Sequence, residues 1–202
     1  MSKAQSEPST RASDAAASGS GLDPSQCFAF PLDDFQLEAI DALNQGHSVV
    51  VSAPTGSGKT LVGEYAIYRA LAHGQKVFYT TPLKALSNQK LRDFREQFGD
   101  ENVGLLTGDL SVNREASIVV MTTEIFRNML YAEADEHDDP LADVEAVVLD
   151  ECHYMNDSQR GTVWEESIIH CPPPIQLVAL SATVANAGQL TDWMKKCTGP
   201  QR

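Results

Sequence analysis

The sequence predicts an α/β domain built on a parallel sheet with helices on both faces. Three observations carry this. Six short runs are apolar at consecutive positions, segments with helical apolar spacing lie between most of them, and small, hydroxylated or acidic residues follow each run directly. A strand that is apolar on both sides needs cover above and below, which the crossover helices of a parallel sheet provide.

Taken in order, residues 1–26 are rich in Ser and Ala with almost no large apolar side chain, too little to offset ordering entropy, so a disordered tail is expected. A helix is expected from Asp33 or Asp34, where Phe35, Leu37, Ala39, Ile40 and Leu43 have helical spacing and Asn44-Gln45-Gly46 supplies the stop. Val49-Val50-Val51 is the first strand, followed by a Gly-rich turn and a helix over 61–72. Val77-Phe78-Tyr79 runs into Thr80-Thr81-Pro82 and a helix over 86–98. The run at 103–106 meets Thr107-Gly108-Asp109, and that at 118–121 meets Thr122-Thr123-Glu124 and a helix over 124–131. Residues 146–149 lead to Asp150-Glu151-Cys152-His153 and a helix over 161–169. Residues 177–180 lead to Ser181-Ala182-Thr183 and a last helical stretch at 190–194. There is no internal repeat. In a parallel sheet all six strand ends project from one edge, where open α/β folds bind ligands.

Composition limits the function classes. With 202 residues, 42% apolar and 21% charged, the chain excludes collagen-like, mucin-like and wholly disordered proteins, and at roughly 100–200 residues per domain it buries one full core but not two. No apolar stretch approaches the ~20 residues that cross a bilayer, and the N-terminus lacks the apolar segment of a secretory signal, so a soluble, cytoplasmic protein without membrane contact is expected. Cys27, Cys152, Cys171 and Cys197 are far apart, indicating neither a zinc site nor a disulfide framework. The net charge of -13 argues against a surface that traps nucleic acid everywhere. The acids are uneven, however: Glu133, Asp135, Glu136, Asp138, Asp139, Asp143 and Glu145 read as one solvated loop, whereas Lys84, Lys90, Arg92 and Arg95 give a local basic face.

Ala53 to Thr60 (APTGSGKT) has the make-up of a phosphate-binding loop: strand, turn without bulky side chains, helix. Backbone N–H groups of Thr55, Gly56, Ser57 and Gly58 face a polyphosphate, Lys59 neutralises its outer groups, and the Thr60 hydroxyl ligates magnesium. Ala53 stands where the strict pattern has Gly, tolerable where φ is negative. Asp150 is placed to hold a magnesium water and Glu151 to orient and deprotonate the attacking water, which together with Lys59 makes a nucleotide-hydrolysis site. For the base two readings stand. Gln36 reads adenine through its carboxamide beside a stacked ring from Phe28, Phe30 or Phe35, or Gln36 is a polar surface position and Phe35 is core.

The ordered set Phe35-Gln36, residues 53–60, PLKAL at 82–86, Thr107-Gly108-Asp109, Asp150-Glu151-Cys152-His153 and Ser181-Ala182-Thr183 resembles the first RecA-like domain of superfamily 2 helicases. Asp-Glu-x-His with PLKALSNQ at 82–89 and MTTEI at 121–125 resembles the superkiller-type, exosome-linked DExH-box RNA helicases. The resemblance spans about residues 28–194 and implies a RecA-like P-loop domain over 27–198, with 199–202 beginning a truncated interdomain linker. It implies ATP and Mg2+ as cofactors and a partner in single-stranded RNA, with DNA possible. It further implies that His153, Ser181 and Thr183 couple the nucleotide to the nucleic acid, and that Pro82, Lys84, Thr107, Gly108, Thr122 and Glu124 line the strand path. Such contacts are largely backbone amides, hydroxyls and helix N-termini against phosphate, so an acidic total is no obstacle.

The same residues admit plainer roles: Thr122-Thr123-Glu124 as a helix cap, His153, Trp164 and Trp193 as packing, and Cys152 as the variable motif position without nucleophilic chemistry. In the family the cleft lies between two lobes, and the resemblance implies that these 202 residues supply the first lobe without the second and its arginines. A monomeric, weakly hydrolysing half-enzyme is therefore expected. The other reading is a stand-alone nucleotide-dependent binding module. A transporter or signalling P-loop ATPase is disfavoured by the Asp-Glu-x-His and Ser-Ala-Thr pair.

Overall fold

The structure, a computed structural model, describes residues 22–132, 139–153 and 161–182. The expectations for residues 1–21, the acids Glu133, Asp135, Glu136 and Asp138, Thr183, the stretch at 190–194, Trp193, Cys197 and residues 199–202 lie outside these, as does the side chain of Trp164.

Asp23 accepts the Ser25 N–H (2.9 Å) and caps a one-turn helix α1, Pro24–Cys27, with Pro at its first position where no N–H is needed. The expected tail therefore gives way to structure before Gln26: Tyr65 O–H donates to the Leu22 carbonyl (2.6 Å) and fixes this segment to the domain. Helix α2, Asp34–Asn44, begins with a capping box in which the Asp33 side chain and Gln36 bond each other's backbone N–H, and its Ile40 and Leu43 are buried. Strand β1, Val49–Ser52, and helix α3, Thr60–Ala72, flank the phosphate loop. Strand β2, Lys76–Thr81, and helix α4, Lys84–Phe98, follow, then β3, Val103–Leu106, and a two-residue β4, Ser111–Val112. Strand β5, Ile118–Thr122, precedes α5, Thr123–Tyr131; β6, Val144–Leu149, precedes α6, Gly161–Ile169, and β7, Gln176–Ser181.

The sheet order is β1-β7-β6-β2-β5-β3-β4, parallel throughout except for β4, which returns antiparallel along β3. Pleating divides the strand residues between two cores. Val51, Tyr79, Val120, Val148 and Leu180 pack under α2, α3 and α4, whereas Phe78, Val119, Leu149, Leu177 and Ala179 pack under α5 and α6 through Phe126 and Ile168. The consecutive apolar runs are thus explained: both faces of each central strand are buried.

Two irregularities matter later. Between β2 and β6 the register steps from Lys76↔Val144 to Val77↔Ala146, so Glu145 is the extra residue of a bulge. It is not part of a solvated loop as its acidic neighbours suggested. Its side chain is 11% exposed, 3.6 Å from Arg69 and 2.7 Å from His73. At the far edge, Asn113 (φ 45) carries its carbonyl over Gly104 of β3, where any Cβ would collide with it.

Candidate active site at the carboxyl edge

The carboxyl ends of β1, β7 and β6 lie side by side, then those of β2, β5 and β3. The first three carry the residues assigned to nucleotide, and the second three carry those assigned to nucleic acid.

After β1 the chain turns through Pro54 to Gly58 with Gly56 at φ 82 and Gly58 at φ 85, conformations that only Gly adopts freely. Thr55, Gly56 and Gly58 are exposed and Ser57 is half-buried, its hydroxyl bonded to the Pro54 carbonyl (2.6 Å). Lys59 is buried at 6% exposure, and its ammonium has the Ala53 carbonyl at 3.5 Å as its recorded hydrogen-bond partner. Thr60, half-buried, opens α3. A helix N-terminus, a glycine turn and a cation held by one long hydrogen bond are groups suited to an anion.

Two strands along the sheet from β1, β6 leads directly into Asp150, which is 5% exposed. Its Oδ2 accepts from the Tyr79 hydroxyl (2.7 Å), its Oδ1 accepts from the Glu151 N–H (2.9 Å), and its own N–H donates to Thr80 (2.9 Å). Glu151 is half-buried at φ 54, a left-handed conformation unusual for a residue with a Cβ, so the local fold spends strain on that carboxylate's direction. Between β1 and β6, Ser181 ends β7, and its carbonyl accepts the Ala53 N–H (3.2 Å). His153 Nδ1 accepts the Ala182 N–H (3.1 Å), which leaves Nε2–H to donate to Glu151 Oε2 at 3.1 Å. Glu151, His153 and the strand end at Ser181 are thus one chain of contacts.

Cys152 donates to the Leu180 carbonyl (3.1 Å), and burial pushes its thiol up to about 12, leaving no thiolate for nucleophilic chemistry at neutral pH. Burial likewise raises the Tyr79 hydroxyl well above its usual range, with the Asp150 charge adding to the rise, so it remains a donor.

Gln36 is buried rather than a surface position. Its Oε1 accepts the Asp33 N–H (2.8 Å) and its Nε2 donates to the Gly58 carbonyl (2.9 Å), so tightly that a Cβ on Gly58 would stand 2.6 Å from Nε2. Among the three aromatic candidates, Phe28 is buried against Tyr68, Phe35 packs on the core, and Phe30 is 57% exposed, lining a shallow cavity of about 460 Å³ with Phe28, Leu32 and Leu37. Gln36 does not line that cavity.

On the other half of the edge, Pro82 is half-buried and Lys84, exposed at the first position of α4, pairs with Asp109. Thr107 is buried and bonded to Asp109 (3.2 Å), while Gly108 is exposed. Thr122 takes the N-cap position of α5 without a side-chain cap bond, and Glu124 is exposed in its first turn. Sequence reading missed Tyr79 and Lys90 as neighbours of Asp150: a tyrosine inside an apolar run reads as core, and Lys90 reads as part of a basic face.

The DEAD/DEAH box helicase model matches residues 33–190. The chain is 57% identical over 174 residues to DExH-box ATP-dependent RNA helicase DExH15, chloroplastic, of Arabidopsis thaliana, covering 85% of this chain and 15% of that protein. It is 51% identical over 171 residues to the antiviral helicase SKI2 of Saccharomyces cerevisiae, covering 85% and 13%. The solved structure of Mycobacterium smegmatis helicase Lhr bound to ssDNA and AMP-PNP aligns with TM-score 0.60 and 29% identity over 79% of this chain and 24% of that one. The chain thus spans under a fifth of the length of these curated relatives. A RecA-like parallel sheet with this motif order, matched by the family model over most of the chain, makes it a member of the DEAD/DEAH box helicase family.

Proposed function

We propose that this chain is the ATP-binding first lobe of a superkiller-type, ATP-dependent RNA helicase. The observation that carries the reading is the buried Lys59 ammonium with a single long carbonyl contact, on the same sheet edge as the buried Asp150 carboxylate. A cation so poorly partnered gains most from a ligand that brings negative charge.

Thr55, Gly56, Ser57 and Gly58 hold the phosphates by backbone N–H, and Lys59 binds the outer phosphate oxygens. The Thr60 hydroxyl and the Asp150 carboxylate are hard oxygen donors of the kind Mg2+ takes, and each Asp150 oxygen has one protein donor, which leaves lone pairs for a metal or its waters. Bound magnesium would offset phosphate charge as the terminal group leaves. Glu151 orients the attacking water and takes its proton, with His153 fixing the carboxylate and passing its state through Ser181 and Thr183 toward the strand path. Gln36 keeps one Nε2 hydrogen and one Oε1 lone pair, the donor–acceptor pair that adenine N7 and N6 require, and Phe30 is the exposed ring for its face. Pro82, Lys84, Thr107, Gly108, Thr122 and Glu124 meet single-stranded RNA. The Lhr structure bound to ssDNA supports DNA as a second reading.

The reading takes residues 27–198 as the domain, in a monomeric, cytoplasmic protein; the widely spaced cysteines support a reducing compartment. Arginines from a second lobe are worth roughly 10³–10⁵ in rate, so this chain alone hydrolyses ATP slowly and unwinds nothing. Adding a separately expressed second lobe of a family relative and following phosphate release tests this. Turnover that rises with the added lobe and with single-stranded RNA is expected. Turnover indifferent to the lobe favours a stand-alone nucleotide-dependent binding module, and duplex unwinding by the chain alone overturns the half-enzyme reading.

A further inference from the structure

Where β6 meets β2, the nucleotide half of the sheet edge joins the nucleic-acid half, and a cluster outside the sequence motifs sits on the join. Tyr79, wholly buried in β2, puts its hydroxyl on Asp150 Oδ2 at 2.7 Å. Lys90, on α4, stands 3.9 Å from the same oxygen and over the ring of Tyr79 at 5.4 Å and that of Phe94 at 5.7 Å. Phe94 meets Tyr79 edge-on at 4.8 Å, so the phenol ring is held by packing from the helix while its hydroxyl points at the carboxylate.

We propose that Tyr79, supported by Lys90, is a positioning residue that holds the Asp150 carboxylate in its metal-binding orientation. The proposal rests on the reading of Asp150 as the magnesium carboxylate. The Glu151 N–H fixes Oδ1 through the backbone, but Oδ2 is free to swing unless a side chain holds it. The Tyr79 hydroxyl does so with a single donor, leaving the second lone pair of Oδ2 open, and the Lys90 ammonium stands over the phenol ring at a distance from Oδ2 too long to occupy that lone pair. The hold comes from β2 and its support from α4, whose first residue is Lys84, so the helix expected to touch the nucleic acid also carries Lys90, which faces the same carboxylate.

A tyrosine that merely satisfies its own hydroxyl stabilises the fold without altering how metal and nucleotide bind together, and this separates the two roles. The test is titration of the 202-residue chain with ATP carrying a fluorescent ribose label, in Mg2+ and in EDTA, with a thermal melt of each variant. For the native chain Mg2+ tightens binding. Tyr79→Phe is expected to cut that Mg2+-dependent tightening about tenfold, the size of one hydrogen bond to a charged group, while affinity in EDTA is unchanged. Lys90→Gln is expected to give a smaller loss, which Lys90→Arg restores. Folded Tyr79→Phe with the native Mg2+ dependence overturns the proposal. Should Tyr79→Phe fail to fold, Lys90→Gln decides, since a native Mg2+ dependence there overturns it equally. If the native chain binds no labelled ATP, the nucleotide-site reading falls and the positioning role with it, whereas native binding with unaltered variants removes the positioning role alone.

Discussion

The two edges of the sheet both bury charge, and they treat it in opposite ways. At the amino edge Arg69 is surrounded by its own chain: Nη1 donates to the Leu43 carbonyl (2.8 Å) and to Gln176 (2.7 Å), and Glu145 stands 3.6 Å from Nε with His73 beyond it. Gln176 completes the cluster by donating to the Leu43 and His47 carbonyls, both at 2.9 Å. At the carboxyl edge Lys59 is as deeply buried but has, among the described residues, one hydrogen bond of 3.5 Å. A charge neutralised by the chain is scaffold, and the proposed nucleotide site rests on one left with a marginal partner.

Arg69→Ala is the harshest way to test that contrast. It leaves Glu145 with His73 as its remaining partner and removes two hydrogen bonds from Arg69, so unfolding free energy should fall by about 3 kcal/mol and the melting midpoint by roughly 10 °C, while labelled-ATP affinity in the folded fraction stays native. Loss of nucleotide affinity with unchanged stability would break the distinction between the edges. Lys59→Ala should do the reverse: nucleotide affinity drops by about 2–5 kcal/mol, at least roughly thirtyfold, and the melting midpoint holds or rises because a poorly paired buried cation is gone. The smallest effect is at Glu64 of α3, beside Lys90. Burial raises its carboxyl above 4.5, against the lowering influence of Gln97 and Lys90. A raised acid binds its proton more tightly when folded, so its contribution is most favourable at low pH and is lost as pH climbs from 4.5 through the folded value. Glu64→Gln should flatten the melting temperature over that window; an unaltered slope assigns the pH dependence elsewhere.

The strands were readable because burial on both faces removes alternation, and the loops after them because small, hydroxylated and acidic residues replace the apolar run at each strand end. The parts that escaped have physical causes. Strand β4 is two residues long and has no period, and α1 is a single turn created by the Asp23 cap rather than by an apolar stripe. Glu145 sits in a run of acids, yet a one-residue bulge turns it onto Arg69, a change of direction invisible in composition. That β7 and β6 insert between β1 and β2 is likewise a matter of tertiary packing, and it is this order that makes Tyr79 a neighbour of Asp150.

At the outer rim, the strap from Asn113 lies against the bare Cα of Gly104 and is tied down by Asn113 Nδ2 on the Glu101 carbonyl (2.9 Å). An open rim of backbone amides is a template on which further molecules add strand by strand. A methyl in place of the hydrogen at position 104 would meet the Asn113 carbonyl and lift the strap, baring the backbone of the third strand for pairing with another copy.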